Sequence, residues 1–111
     1  AGSKINQIGR AIHQEATADG FRVIRNLSGH GIGRGLHEYP DNILNFRDPY
    51  DKRLLTNGLV LAVETFLTTG AEFVEEADDG WGLICPDRSL VAQFEHTIVV
   101  TKNEPIILTA V

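Results

Sequence analysis

The sequence predicts an α+β fold in which one long helix packs on a curved antiparallel sheet. Three observations support this prediction: apolar residues at helical spacing near the start of the chain, strand patterns after Gly58, and turn sequences between those patterns. With 111 residues, of which 42% are hydrophobic, the chain can bury one core but is short for two. We therefore predict a single domain over residues 1–111.

The first predicted element is a helix over about residues 4–18. Four apolar residues recur at three- and four-residue spacing and share one helical face: Ile5, Ile8, Ile12 and Ala16. Ser3 is the expected N-cap, because its hydroxyl can accept a hydrogen bond from the first helical turn. Asp19-Gly20 is the expected stop, because glycine suits the position after a helix end.

The next stretch predicts a short strand over residues 21–24 that leads into a glycine-rich loop. The loop sequence is GHGIGRGLHEYP, residues 29–40. Asp48-Pro49 and Asn57-Gly58 are turn signals, so residues 41–58 are expected to be irregular.

Strand patterns dominate the chain after Gly58. Residues 59–67 form a nearly continuous apolar run bounded by turns, which is typical of a strand buried on both faces. Further strands are expected at residues 81–85, 90–101 and 106–109, with turn sequences between them. Because short turns join neighbouring antiparallel strands, we predict a meander.

Composition argues against several classes of function. The net charge of −5 disfavours nucleic acid or an anionic membrane as a partner, because both require clustered Lys and Arg. No apolar run approaches the ~20 residues that span a bilayer. Cys85 is the only cysteine, so neither an internal disulfide nor a cysteine-rich zinc site can form. We expect a soluble cytoplasmic protein.

The segment at residues 29–40 contains two histidines framed by glycines. His30 and His37 lie seven residues apart among four glycines. One interpretation is a loop whose histidines are solvated. The other is that the glycines let the backbone come close to a small ligand that the histidines contact.

Two carboxylates occupy strand patterns in which an ionised group is costly. Glu64 lies within LVLAVETFL, on a face shared with apolar residues, and Glu95 lies within LVAQFEHTIVV. Each could be an edge-strand residue whose carboxylate reaches solvent. Alternatively, a divalent cation would neutralise both and explain the glycine-framed histidines. Carboxylates and imidazoles without a thiolate suit Mn, Fe, Co or Zn, although ligands from three segments have no diagnostic spacing.

Several motifs occur in an order that resembles a known family. GHGIGRGLHEYP, VETF, DGW, DRSLVAQFEHTIVVT and ILT together resemble the C-terminal half of the type I methionine aminopeptidases, which are pita-bread metalloproteases. The resemblance extends from about Ile5 to Thr109. It implies half of a pita-bread fold and an enzyme that removes the N-terminal methionine from peptides and nascent proteins.

The resemblance also implies roles for individual residues. His30, Glu64 and Glu95 match the metal ligands of the family, and Glu64 would also act as the proton shuttle. His37 matches a residue that hydrogen-bonds the substrate and stabilises the tetrahedral intermediate, and Trp81 matches an aromatic residue of the methionine pocket. The implied cofactors are divalent ions (Co, Mn, Fe or Zn), two in the complete family site.

Two departures from the family pattern limit what the chain is expected to do alone. Thr65 follows Glu64 where the family usually has proline. The N-terminal half of the family, which donates two aspartates and a further histidine, has no counterpart among the motifs. We therefore expect at most one bound ion, little or no activity of the chain alone, and pairing with the missing half or self-association.

Two other functions remain open from the sequence. Xaa-Pro aminopeptidases and prolidases share the metal ligands, although the EHTIVVT and DGW motifs favour the methionine enzymes. The third interpretation is a non-catalytic pita-bread module that binds peptides or proteins. The retained ligand residues argue against such a module for a complete protein, but not for this chain.

Overall fold

The computed structural model describes residues 1–36, 38–76, 83–85, 87 and 89–109. Helix α1 spans Asn6–Ala18. Eight strands lie within the described residues: β1 Arg22–Val23, β2 Ser28–Gly31, β3 Glu38–Leu44, β4 Val60–Thr68, β5 Glu75–Glu76, β6 Leu83–Ile84, β7 Val91–Val99 and β8 Ile106–Ile107. A helix beside antiparallel strands confirms the predicted α+β class.

Helix α1 forms where the apolar stripe predicts it, but its expected cap is wrong. The stripe faces the core, with two residues buried and two half-buried: Ile5, Ala16, Ile8 and Ile12. The helix begins after Ile5, without a side-chain cap. Ser3 instead accepts a backbone hydrogen bond from Leu55 at 2.8 Å, within an extended segment where Lys4 and Leu54 form a β-bridge. This pairing keeps Ser3 away from the helix start.

The helix ends at the predicted position. The Gly20 N–H donates to the Thr17 carbonyl at 3.1 Å, and the Phe21 N–H donates to the Ala16 carbonyl at 2.8 Å. These two bonds form the Schellman pattern, which satisfies carbonyls of the last turn. In the part of the chain that the structure describes, no helix has the length and apolar character needed to cross a membrane.

Among the described strands, six form one antiparallel sheet. Its order is β3-β2-β4-β7-β8, and β1 pairs with the end of β4. The central pair, β4 and β7, is in register from Val60↔Val99 to Thr68↔Val91. β5 and β6 form a separate two-stranded sheet between β4 and β7 in the chain. The predicted meander is therefore present only in part.

Two local predictions need correction. Residues 41–44 are not irregular, because they complete β3 and pair with β2. The residues Asp41 and Asn42 are common in turns, but here they lie in a strand. Ile43 of the same strand is buried in the core and is 2% exposed. β4 is not buried throughout on both faces, since only Leu61, Ala62 and Thr68 are buried and its other residues are half-buried.

Among the described residues, the core has two apolar clusters, which lie on opposite faces of β4. The buried members of the first are Ile5, Ile43, Leu61 and Val100, with Val63 packed against them. The buried members of the second are Ile24, Val74 and Cys85, with Phe66 packed against them. Because side chains alternate along a strand, Glu64 shares the face of Phe66, beside the second cluster rather than the first.

A charged pair supports the segment that holds the start of α1. The Asn6 amide donates to the carbonyls of Asp48 and Asp51. The Arg53 guanidinium donates to both carboxylate oxygens of Asp51, at 2.9 and 2.8 Å. This hydrogen bonding holds the pKa of Asp51 below its usual range. Since the ionised form is favoured in the folded chain, the pair stabilises the fold above the ordinary carboxyl pKa.

We expect Asp51→Asn to lower the free energy of unfolding by about 1–2 kcal/mol at pH 7, because the bidentate charged contact is lost. As the pH falls from the ordinary carboxyl pKa through the lowered pKa of Asp51, the Asp51 carboxylate of the native chain becomes protonated. The difference in unfolding free energy between the two chains should then shrink. Urea unfolding of both chains at pH 7 and below about pH 4 measures this. A stability difference between the two chains that does not change with pH would contradict the role of the ionised Asp51 carboxylate.

Candidate metal centre

Three neighbouring strands carry the three predicted metal ligands on one face of the sheet. His30 of β2 lies opposite Ala62 of β4, and Glu64 of β4 lies opposite Glu95 of β7. Opposed residues in antiparallel strands share a face, and so do residues two apart along one strand. His30, Glu64 and Glu95 therefore belong to the same face.

His30 is held with one ring nitrogen directed to Glu64. The residue is buried, and its Nδ1 lies 2.8 Å from the Gly31 carbonyl. A carbonyl oxygen only accepts hydrogen bonds, so Nδ1 carries a proton. Nε2 lies 3.1 Å from Glu64 Oε2. In a neutral ring of this tautomer the lone pair is on Nε2, the nitrogen beside Glu64 and the atom that would bind a metal, and the backbone carbonyl fixes the ring.

The glycines beside His30 are required by the approach of neighbouring strands. A Cβ at Gly29 would lie 2.5 Å from the carbonyl oxygen of Ala62, and a Cβ at Gly31 would overlap the backbone carbonyl of Tyr39. The absence of side chains lets β2 lie between β4 and β3. The prediction of a loop is therefore wrong at this point, because Ser28–Gly31 is a strand. The glycines serve close packing of strands around the imidazole.

Glu64 and Glu95 form a cross-strand pair of like groups. The Glu64 side chain is 17% exposed and lies against His30, whereas Glu95 is exposed. The Gln93 amide lies 3.5 Å from Glu95 Oε2. Like charges directly opposite in a sheet destabilise the pairing by several tenths of a kcal/mol. A cation near both carboxylates would remove this repulsion.

The three side chains do not form a closed metal site in the present arrangement. Within the described ranges, no group of three His, Cys, Asp or Glu residues is arranged to hold a metal ion. His30 and Glu64 are in contact, and Glu95 is their neighbour on the next strand. The nitrogen and oxygen donors nevertheless fit a borderline divalent cation. An exposed glutamate can reach such an ion by changing its rotamer.

The remaining predicted site residues, His37 and Trp81, lie outside the described residues. Their roles in contacting the substrate stay predictions based on the motifs.

Asn45 is a buried residue near the centre that was not among the residues predicted from the sequence. It follows β3 and is 0% exposed. Its Nδ2 donates to the carbonyls of Glu64 at 3.2 Å and Leu27 at 3.4 Å, and its Oδ1 accepts from the Phe66 N–H at 2.9 Å. The sequence signal for this residue is an asparagine directly after two apolar residues. That pattern is also typical of an ordinary turn, so it does not indicate a buried role.

Comparison with known proteins points to one family. Residues 1–102 match the model of a family described as metallopeptidase family M24. Methionine aminopeptidase 2 of Bacillus subtilis is 59% identical over 109 residues, which cover 98% of this chain and 44% of the relative. A methionine aminopeptidase of Staphylococcus epidermidis is 46% identical over 110 residues, covering 99% and 44%. The chain thus spans less than half the length of these curated relatives.

Solved structures of methionine aminopeptidases also match the fold of this chain. A methionine aminopeptidase from Thermotoga maritima superimposes with a TM-score of 0.90 at 39% sequence identity, covering 97% of this chain and 43% of the other. The match includes nearly the whole chain and confirms the predicted pita-bread architecture.

Proposed function

The chain belongs to metallopeptidase family M24, and from this premise we propose that it supplies part of a metal-dependent site that removes N-terminal methionine from peptides and nascent proteins in the cytoplasm. The observation that carries the proposal is the contact between His30 Nε2 and Glu64 Oε2, 3.1 Å apart, beside Glu95 on the same face. The relatives named methionine aminopeptidase support this choice of substrate.

His30, Glu64 and Glu95 are the residues that would hold a divalent cation. Their donor set suits Co, Mn, Fe or Zn, and three ligands from this chain are enough for one ion at most. When bound, such a cation polarises a carbonyl and lowers the pKa of water. The Gly31 carbonyl holds the ring of His30 through Nδ1, so Nε2 is the nitrogen that would bind the ion.

Each of the proposed site residues has its own role in peptide hydrolysis. Water attacks the carbonyl carbon of the first peptide bond, and Glu64 accepts the proton that the water loses. Glu64 passes this proton to the amino group that leaves when the C–N bond breaks. We assign His37 as a hydrogen-bond donor to the oxygen that becomes negative, and Trp81 as a contact of the methionine side chain. Both assignments rest on the motifs alone.

We further propose that the chain works with a complementing N-terminal half. Ile106–Thr109 contact residues 96–99 of β7, so among the described strands the part of β7 before His96 has β4 as its one neighbour. Exposed apolar side chains occur in and just before this stretch, with Leu90 77%, Val91 42% and Phe94 71% exposed. Exposed apolar edges of this kind are interaction sites. The greater length of the relatives supports a second half as the occupant.

Mixing the chain with a separately expressed N-terminal half should create aminopeptidase activity that neither part shows alone. Release of methionine from a Met-Ala-Ser peptide with added Co²⁺ or Mn²⁺ measures the activity, and analytical ultracentrifugation confirms the complex. The matched control is a His30→Ala chain, which should form the complex without gaining activity. Turnover by the 111-residue chain alone would refute the need for a second half. An inactive complex of two folded parts would refute the proposed function.

A further inference from the structure

The backbone of β4 changes partners beside Glu64. On one side β4 pairs continuously with β7. On its other side, β2 pairs with Leu61 and Ala62, and β1 pairs with Leu67 and Thr68. Residues 63–66 lie between these two pairings. The peptide groups of this interval need hydrogen-bond partners that the two ladders do not provide.

The side-chain amide of Asn45 supplies two of these partners, while the Ile24 N–H supplies another by donating to the Phe66 carbonyl at 3.1 Å. The Asn45 amide donates to the Glu64 carbonyl and accepts from the Phe66 N–H, as a peptide group of an adjacent strand would. The same amide donates to Leu27, the residue immediately before β2. One buried amide thus connects the strand that carries Glu64 with the strand that carries His30.

We propose that Asn45 is a positioning residue that holds the Glu64 carboxylate against the His30 imidazole and thereby governs the affinity of the pair for a divalent cation. The effect on cation affinity rests on the proposed function, whereas the positioning of Glu64 concerns the metal-free chain. The backbone of Glu64 is fixed at its carbonyl by Asn45, and the next N–H that Asn45 holds is only two residues away. A strand released at these two points can shift the carboxylate relative to the ring.

The test compares Asn45→Ala with the wild-type chain in two measurements. Titration with Co²⁺ by calorimetry should show affinity about 10–100-fold weaker in the variant, the usual effect of losing a group that supports a metal ligand. In the metal-free chains, the ¹⁵N shifts of the His30 imidazole should change, because the ring loses its fixed contact. The His30 signals are assigned by their loss in a His30→Gln chain. If Asn45→Ala does not fold, Asn45→Ser retains a polar group too short to reach both peptide groups.

Asn6→Ala is the matched control. Asn6 is also a buried asparagine whose amide donates to two backbone carbonyls, but these belong to Asp48 and Asp51. Its loss should destabilise the fold while the His30 shifts stay unchanged and the Co²⁺ affinity stays within about twofold of wild type. Wild-type His30 shifts in the Asn45 variants, or equal changes in the Asn6 variant, would overturn the proposal. A wild-type chain that binds no Co²⁺ would refute the metal function, and the ¹⁵N shifts would still decide the positioning role.

Discussion

Replacing Glu64 by glutamine should lower the turnover of a Met-Ala-Ser peptide by the complemented protein about 10³-fold or more. The amide preserves the size of the side chain and can still contact His30, which lies 3.1 Å away in the native chain. It carries no charge to bind a cation and cannot accept the proton of the attacking water. Loss of a positioned acid–base group alone costs about 10²–10⁴ in rate. The measurement is kcat at saturating Co²⁺.

Glu72→Gln is the control for this prediction. Glu72 is a glutamate outside the candidate centre, where its carboxylate lies 3.4 Å from Arg25 Nε in a solvent-accessible ion pair. Its neutralisation should leave turnover within about twofold of wild type, because exposed ion pairs contribute little to stability. Urea unfolding of both variants separates a chemical effect from misfolding. Turnover of the Glu64 variant within tenfold of wild type would exclude Glu64 as a ligand and proton acceptor.

The sequence predicts those parts of the fold that depend on local patterns. The apolar stripe locates α1, and the strand patterns locate β4 and β7, because each period is set by the backbone geometry of one element. Local patterns fail where a distant partner decides the conformation. Residues 41–44 become a strand by pairing with β2, and Ser3 is held by Leu55 rather than capping the helix.

In the candidate centre, too, features set by local patterns can be predicted, whereas features set by distant partners cannot. A period of two residues indicates which face Glu64 occupies, and the unusual placement of its charge suggests a ligand. The contact with His30 depends on the register between β2 and β4, which the sequence does not encode locally. The role of Asn45 is further removed, because it requires knowing that two ladders on β4 leave an interval between them.

Gly31→Ala is expected to disrupt the fold at the candidate centre. The added Cβ would overlap the backbone carbonyl of Tyr39, and neither strand can yield without separating β2 from β3. Overpacking of this kind costs up to about 3 kcal/mol of unfolding free energy, and more where backbone must move. Since Gly31 also supplies the carbonyl that fixes His30 Nδ1, the Co²⁺ affinity should fall together with stability. Urea unfolding and calorimetric titration measure the two effects.

Gly33→Ala distinguishes a steric cause from a general intolerance of alanine in this segment. The atoms nearest to a Cβ at Gly33 would be those of the Glu38 carboxylate, the end of a flexible side chain. Glu38 can move away at the cost of its hydrogen bond from the Gly35 N–H, about 1 kcal/mol. The Gly31 variant should therefore lose at least twice as much stability as the Gly33 variant, and only the former should lose Co²⁺ affinity. Equal losses would mean that β2 and β3 are not packed as closely as the contact at Tyr39 requires.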